Sequence, residues 1–257
     1  MLNLKNISKI YNQNRENENI LFNNLNLTIN KGDFITIVGS NGSGKTTLFN
    51  IINGTTKPNS GRILLEDKDI TNMHEHKRSS FIGRVFQDPK LGTCPSMTIL
   101  ENISLADNKG GKFDLRLGIN KKRIPFYKEE ISLLNLGLEN KLDVKVGALS
   151  GGQRQSIALL MSTIVTPKLL LLDEHTAALD PKTSENIMDL TENLVFSKGI
   201  TTIMITHNLK HAVKYGNRII MLHKGNIIID AAGEDRKNLD KEKLWDKFNR
   251  LSMAFED

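Results

Sequence analysis

The chain has a single cysteine, Cys94, among its 257 residues. No intrachain disulfide is possible, so nothing ties the protein to an oxidising compartment, and the lone thiol reads as a small packing residue. Long apolar runs are missing too. No stretch approaches the roughly 20 residues of a membrane-spanning helix, and the most apolar candidate, 169–172 with its neighbours, has the length of a buried strand. The N-terminus, MLNLKNISKIYN, mixes charged and amide residues with apolar ones and lacks a signal-peptide core. Any membrane role is therefore expected to come through a partner. There are no internal repeats. What is present is the composition of a globular protein, 39% hydrophobic and 25% charged, with 35 Lys and Arg against 29 Asp and Glu for a net charge of +6. That surplus suits an anionic substrate, a membrane surface or nucleic acid, or only aids solubility, and does not choose among them.

Alternation of apolar and polar residues predicts strands at the start: Leu2 and Leu4, then Leu25, Leu27 and Ile29, with a polar loop from Asn12 to Asn19 between them. Phe34 to Val38 is almost continuously apolar, as in a strand buried on both faces of a parallel sheet. It runs into a glycine-rich turn, after which Leu48, Ile51 and Ile52 have helical spacing up to a stop at Gly54. Later, Leu169 to Leu172 and Ile200 to Ile205 read as buried strands. Asp180-Pro181 starts a helix that closes at Lys198-Gly199, and Arg218 to Ile229 is a hairpin turned at Lys224-Gly225. This alternation predicts a mostly parallel α/β sheet. The middle is different. Thr98 and Glu101 fit a capping box, Glu129 to Leu138 and Gln155 to Ile164 have helical spacing, and Asp107 to Arg123 reads as an exposed connection. The chain is thus one domain, with a sheet core of about 1–88 and 166–257 and an inserted helical lobe of about 89–165. In the tail, Leu244, Phe248, Leu251 and Phe255 form a helical stripe beside Trp245, suited to core packing or to a partner surface.

Three motifs carry chemistry. Gly39-Ser40-Asn41-Gly42-Ser43-Gly44-Lys45-Thr46 places glycines where successive N–H groups must turn inward on phosphate oxygens. The following helix adds its positive end, Lys45 a mobile charge and Thr46 a hydroxyl for Mg²⁺. Leu169 to Leu172 followed by Asp173-Glu174 puts two carboxylates at the end of a buried strand. There Asp173 suits Mg²⁺ through its water shell and Glu174 an attacking water. Leu149-Ser150-Gly151-Gly152-Gln153 opens a helix. Ser150 and Gln153 fit a plain capping box, but two adjacent glycines exceed that need, and exposed N–H groups at a helix start suit an anion. His74, His76, His211 and His223 have no metal-ligand grouping.

Residues 39–46, 149–153 and 169–174, in that order, resemble the phosphate loop, the signature and the second carboxylate motif of ATP-binding-cassette ATPases. The resemblance covers essentially the whole chain. It implies the P-loop nucleoside triphosphate hydrolase fold, α/β, with an N-terminal antiparallel strand region. Gln87 in VFQDP resembles the family's glutamine between metal site and helical lobe, Ala178-Leu179-Asp180 its dimer-interface loop, His207 in MITHN its switch histidine, and Tyr11 its adenine-stacking aromatic. His175 stands where the family usually has proline, a residue with no catalytic group.

What the resemblance implies is specific. ATP is expected on Tyr11, Gly39, Ser40, Asn41, Gly42, Ser43, Gly44, Lys45, Thr46 and Thr47 of one subunit. Ser150, Gly151, Gly152 and Gln153 of a second copy are expected to close the site. Mg²⁺ falls to Thr46, Gln87 and Asp173, and catalysis to Glu174 and His207 with Lys45 and Gln87. The partners implied are a second copy of the chain, an integral-membrane permease and, through it, an extracellular lipoprotein receptor. The location implied is peripheral, on the cytoplasmic face of the membrane. GTCPSMTILENISLA and DEHTAALDPKT resemble a bacterial subgroup that serves permeases for aromatic amino acids. The alternative is a soluble cassette acting on nucleic acid or ribosomes; with one cassette and no long basic arm, nucleic acid is not the expected partner. Leu91, Cys94 and Met97, after Gln87, suit either contact with a permease helix or packing of the helical lobe.

Overall fold

A computed structural model describes residues 1–111 and 118–246. Along the chain it contains β1 (Leu2–Tyr11), β2 (Asn19–Ile29), β3 (Phe34–Gly39), α1 (Lys45–Asn53), β4 (Ser60–Leu65), β5 (Lys68–Asp69), α2 (Glu75–Arg78) and β6 (Ile82–Val85). Next come α3 (Ile99–Asp107), α4 (Ile124–Ser132), α5 (Gly151–Thr163), β7 (Leu169–Asp173) and α6 (Pro181–Lys198). The last elements are β8 (Thr201–Ile205), α7 (Leu209–Lys214), β9 (Arg218–His223), β10 (Asn226–Ala232) and α8 (Gly233–Lys237). They fall into two compact units, one formed by Met1–Arg78 with the chain from Thr201 onward, the other by Ser79–Ile200.

In the first unit β1 pairs antiparallel with β2 and with β4. Its Leu2, Leu4 and Ile7 are buried, as are Leu25, Leu27 and Ile29 of β2, so the predicted one-faced alternation is realised. β3 lies parallel to β8 on one side and to β9 on the other, and all six of its residues are buried. β9 and β10 form the predicted hairpin, with Lys224 and Gly225 both at positive φ in its two-residue turn. α1 packs Leu48, Phe49, Ile51 and Ile52 inward and stops at Gly54. Its last carbonyls are satisfied by a residue the sequence did not mark. Arg78 is buried and donates to the Ile51 and Ile52 carbonyls at 2.8 and 2.7 Å, and to those of Met73 and Thr71 at 2.8 and 2.9 Å. Helix ends leave such carbonyls without partners, and one planar guanidinium can serve several. Its burial pushes the Arg78 pKa down to about 10. Leu244 of the tail stripe packs with Val38, Ile219 and Met221, while Trp245 is half exposed; Phe248, Leu251 and Phe255 lie outside the described residues.

The second unit holds β6 and β7 as a parallel pair and α3, α4 and α5 between them in sequence. Ile99, Ile103, Tyr127, Ile131, Ile157 and Leu160 are at the centre of its helical core. The predicted capping box of α3 is present, with Thr98 accepting from the Glu101 N–H and the Glu101 carboxylate accepting from that of Thr98. The helix predicted over Glu129 to Leu138 ends sooner, at Ser132, because Asn135 and Gly137 adopt positive φ and turn the chain. α6 begins and ends as predicted, with the Asp180 carboxylate accepting from Thr183 N–H and Gly199 closing it. Part of the Asp107 to Arg123 connection, 112–117, lies outside the described residues.

Between Gln87 and α3 the chain has little regular structure, yet it is pinned. The fully buried Asn102 amide accepts from Cys94 N–H at 2.7 Å and donates to the carbonyls of Cys94, Thr98 and Met97 at 3.0, 2.9 and 3.3 Å. The same stretch runs beside the one leading into α5. Val146 N–H donates to Met97 O at 3.0 Å and Gly147 N–H to Pro95 O at 2.9 Å. Among the described residues, no helix is long and apolar enough to cross a membrane.

Candidate functional site

The glycine-rich loop sits in the first unit, at the C-terminal end of β3. Gly39, the last residue of that strand, pairs with Leu222 of β9. A Cβ at Gly39 would stand 2.2 Å from the Leu222 carbonyl oxygen, so any other residue would push the loop off the sheet. The loop is braced from outside, since Gly225 N–H donates to Ser43 O at 3.1 Å. Gly44 caps α1 and, lacking a side chain, makes no capping bond, so the first N–H groups of the helix have no side-chain acceptor there. Lys45 is 6% exposed and its ammonium donates to the carbonyls of Gly39 and Ser40, each at 2.9 Å. Uncapped helix N–H groups with a lysine ammonium held inside the loop are the surroundings an anion of several oxygens requires.

Tyr11 and Thr47 are brought together, their hydroxyl groups 3.3 Å apart. The tyrosine ring is 39% exposed, and the Lys9 ammonium lies 5.0 Å from its centroid, within cation–π range. Thr46 and His207 are both exposed. β3 and β8 run parallel with Ile37 opposite Ile205, so Gly39 and His207 each lie two residues beyond that pair, at one sheet edge. Ligands of open α/β sheets bind at this carboxyl edge.

The second unit presents its own edge. Val85 of β6 is opposite Leu172 of β7, so Gln87 and Glu174 lie two residues past their pair, with Asp173 one past it. Gln87 is exposed; Asp173 and Glu174 are half-buried. The Asp173 carboxylate accepts from Arg84 at 2.8 Å, and the guanidinium of Arg84 lies 4.7 Å from the Phe86 ring centroid. An arginine inside an otherwise apolar strand was the signal that sequence reading passed over. Glu174 has φ 46°, left-handed for a residue with a side chain.

At the head of α5 the capping box is real. Ser150 Oγ accepts from Gln153 N–H at 3.3 Å, and Gln153 Oε1 accepts from Ser150 N–H at 3.1 Å. Gly152 has a packing reason as well, because a Cβ there would meet Thr183 Cγ2 of α6 at 2.5 Å. A Cβ at Gly151 would meet nothing closer than 3.4 Å, and Ser150 and Gly151 are exposed. Arg154 donates to the carbonyls of Val146, Gly147 and Leu149, which fixes the chain entering this helix. Gln155 donates to Phe86 O at 3.2 Å, binding the same helix to the residue before Gln87. Among the described residues no cluster of His, Cys, Asp and Glu is arranged to hold a metal.

The model of the ABC transporter family matches residues 22–177. A tyrosine transport ATP-binding protein of Clostridioides difficile (strain R20291) is 51% identical over 250 residues, covering 96% of this chain and 98% of that one. A spermidine/putrescine import ATP-binding protein of Mannheimia succiniciproducens is 37% identical over 97% of this chain and 63% of its own length. A dimeric ATP-binding cassette in a post-hydrolysis state, bound to ADP and Pi, superposes with a TM-score of 0.76 at 32% identity, covering 90% of this chain and 98% of that one. With its glycine-rich loop at the sheet edge and its strand-end carboxylates, the chain belongs to the ABC transporter family, as an ATP-binding ATPase.

Proposed function

We propose that this chain hydrolyses ATP to drive uptake of an aromatic amino acid, tyrosine first, through a separate integral-membrane permease. The observation that carries the substrate is the 51% identity, almost end to end, with a tyrosine transport ATP-binding protein. Two copies act together, head to tail. In each, the loop from Gly39 to Thr47 and Lys45 hold the β and γ phosphates, and Tyr11 stacks on the base. Ser150, Gly151, Gly152 and Gln153 of the other copy offer the start of α5 to the γ phosphate. Thr46, Gln87 and Asp173 would hold Mg²⁺, and their hydroxyl, amide and carboxylate oxygens suit this hard ion. When bound it neutralises charge on the phosphoryl oxygens. Glu174 polarises the attacking water and takes its proton as the bond to ADP breaks, and His207 touches the γ phosphate. The domain acts on the cytoplasmic face as a peripheral subunit, with a lipoprotein receptor delivering substrate on the outer side.

The permease contact is the apolar surface after Gln87. Leu91 is 70% exposed and Met97 half-buried. Met97, Leu100, Leu105 and Ile124 line a hollow of about 550 Å³ on the helical unit. A short amphipathic helix of the permease fits such a groove. In the reconstituted complex, L-tyrosine with its receptor is expected to stimulate ATPase activity while spermidine leaves it unchanged; the reverse response would overturn the substrate. Replacing Leu91 and Met97 together with Asp is expected to leave a folded subunit with its basal ATPase activity that no longer co-purifies with the permease. An intact complex, or loss of folding, would count against the contact.

A further inference from the structure

We propose that His175 is a positioning residue for Glu174, holding the backbone beneath the carboxylate through a hydrogen bond to Thr191 of α6; this rests on the reading of Glu174 as the group that polarises water. His175 is 2% exposed, and its Nε2 lies 3.1 Å from Thr191 Oγ1. Thr191 is also fully buried, and its hydroxyl donates to Ile187 O at 2.7 Å. A hydroxyl has one proton. With that proton given to Ile187, the Thr191 oxygen can only accept, so the imidazole carries its proton on Nε2 and donates.

Glu174 needs such an anchor. A residue with a Cβ stays at φ 46° only where its surroundings enforce it. On the strand side, Leu169 to Leu172 are fully buried and Asp173 is held by Arg84. On the other side, Ala177 N–H donates to Glu174 O at 2.9 Å, closing a turn. His175 adds the attachment to α6. It ties the end of β7 to the middle of the helix that follows the loop 176–180, which opposes movement of the strand end away from α6. A rotation of the peptide after Glu174 would swing the carboxylate, and displacement of a reacting group by about 1 Å costs as much as about a hundredfold in rate.

The test uses the full chain and separates kcat from KM for ATP, with nucleotide affinity measured independently. Thr191→Val keeps the shape and removes the acceptor; about a tenfold fall in kcat is expected with KM and ATP affinity unchanged. His175→Gln, whose amide nitrogen reaches the place of Nε2, is expected to stay within about threefold of the parent, and the shorter His175→Asn to fall like Thr191→Val. In a Glu174→Gln background Thr191→Val is expected to cause no further loss. Should Thr191→Val fail to fold, the Gln and Asn variants decide, and equal kcat in those two would overturn the proposal. So would a loss shared equally by kcat and ATP affinity, which is what a purely structural histidine gives. If Glu174→Gln itself turned over at the parental rate, the reading of Glu174 would fall, whatever the His175 variants do.

Discussion

Lys45→Ala is expected to abolish productive ATP binding, the largest single effect available in the first unit. The ammonium is almost completely buried and is held by the Gly39 and Ser40 carbonyls, so its charge is fixed where phosphate oxygens would approach uncapped helix N–H groups. Alanine removes the charge. An ammonium placed between β and γ phosphate oxygens makes charge-assisted hydrogen bonds to them of about 1.5–3 kcal/mol each, so losing two such bonds to the nucleotide corresponds to an affinity lower by roughly a hundredfold or more. Calorimetric titration with ATP measures it directly. The phosphate-loop assignment would not survive parental ATPase activity in the Lys45→Ala variant.

Glu174→Gln has the second large effect and a different signature. Glutamine is nearly isosteric, and at φ 46° it meets the same backbone strain as glutamate, so the strand end keeps its shape. What disappears is the ability to take a proton from water, a contribution of about 10²–10⁴ in rate for a well-placed general base. ATP affinity is expected to persist. Hydrolysis slows, ATP is retained, and the two copies stay closed on it. Sizing the variant with ATP and Mg²⁺ should give a dimer where the parent dissociates after turnover; a monomer hydrolysing at the parental rate would refute both the role of Glu174 and the ATP-closed pair.

Much of the fold was written in short-range pattern. β3 and β7 are readable because parallel strands covered on both faces are almost purely apolar, and α6 because Asp180, Pro181 and Gly199 punctuate it. β4 was not singled out: its sequence, SGRILL, sets three polar or glycine positions before three apolar ones and so lacks the alternation that marks a strand. The overlong α4 shows the limit of spacing, which extends a helix until a backbone preference, at Asn135 and Gly137, stops it. Within the site, the loop and the strand-end carboxylates follow from residue type and order. Gln155 and Asn102 do not, because they act on backbone atoms that carry no sequence signal, and Arg84 stands out in its apolar strand while its partner Asp173 lies far along the chain. Gly152 is instructive in another way. Its glycine reads as an opening for an anion, and the packing against Thr183 supplies a second, steric reason.

Asn102 has a consequence for how this protein can change. Its amide is used as donor and acceptor at once, towards backbone atoms of Cys94, Met97 and Thr98 that side-chain exchange leaves in place, proline at 94 excepted. Aspartate would offer only acceptors to three carbonyls, leucine nothing polar, and glutamine a head group carried one methylene too far. The position therefore has no neutral neighbours in sequence space. On the proposed permease contact, side chains from Leu91 to Met97 can be exchanged to suit a different partner without moving the route from Gln87 to α3, because Asn102 holds the path of that backbone.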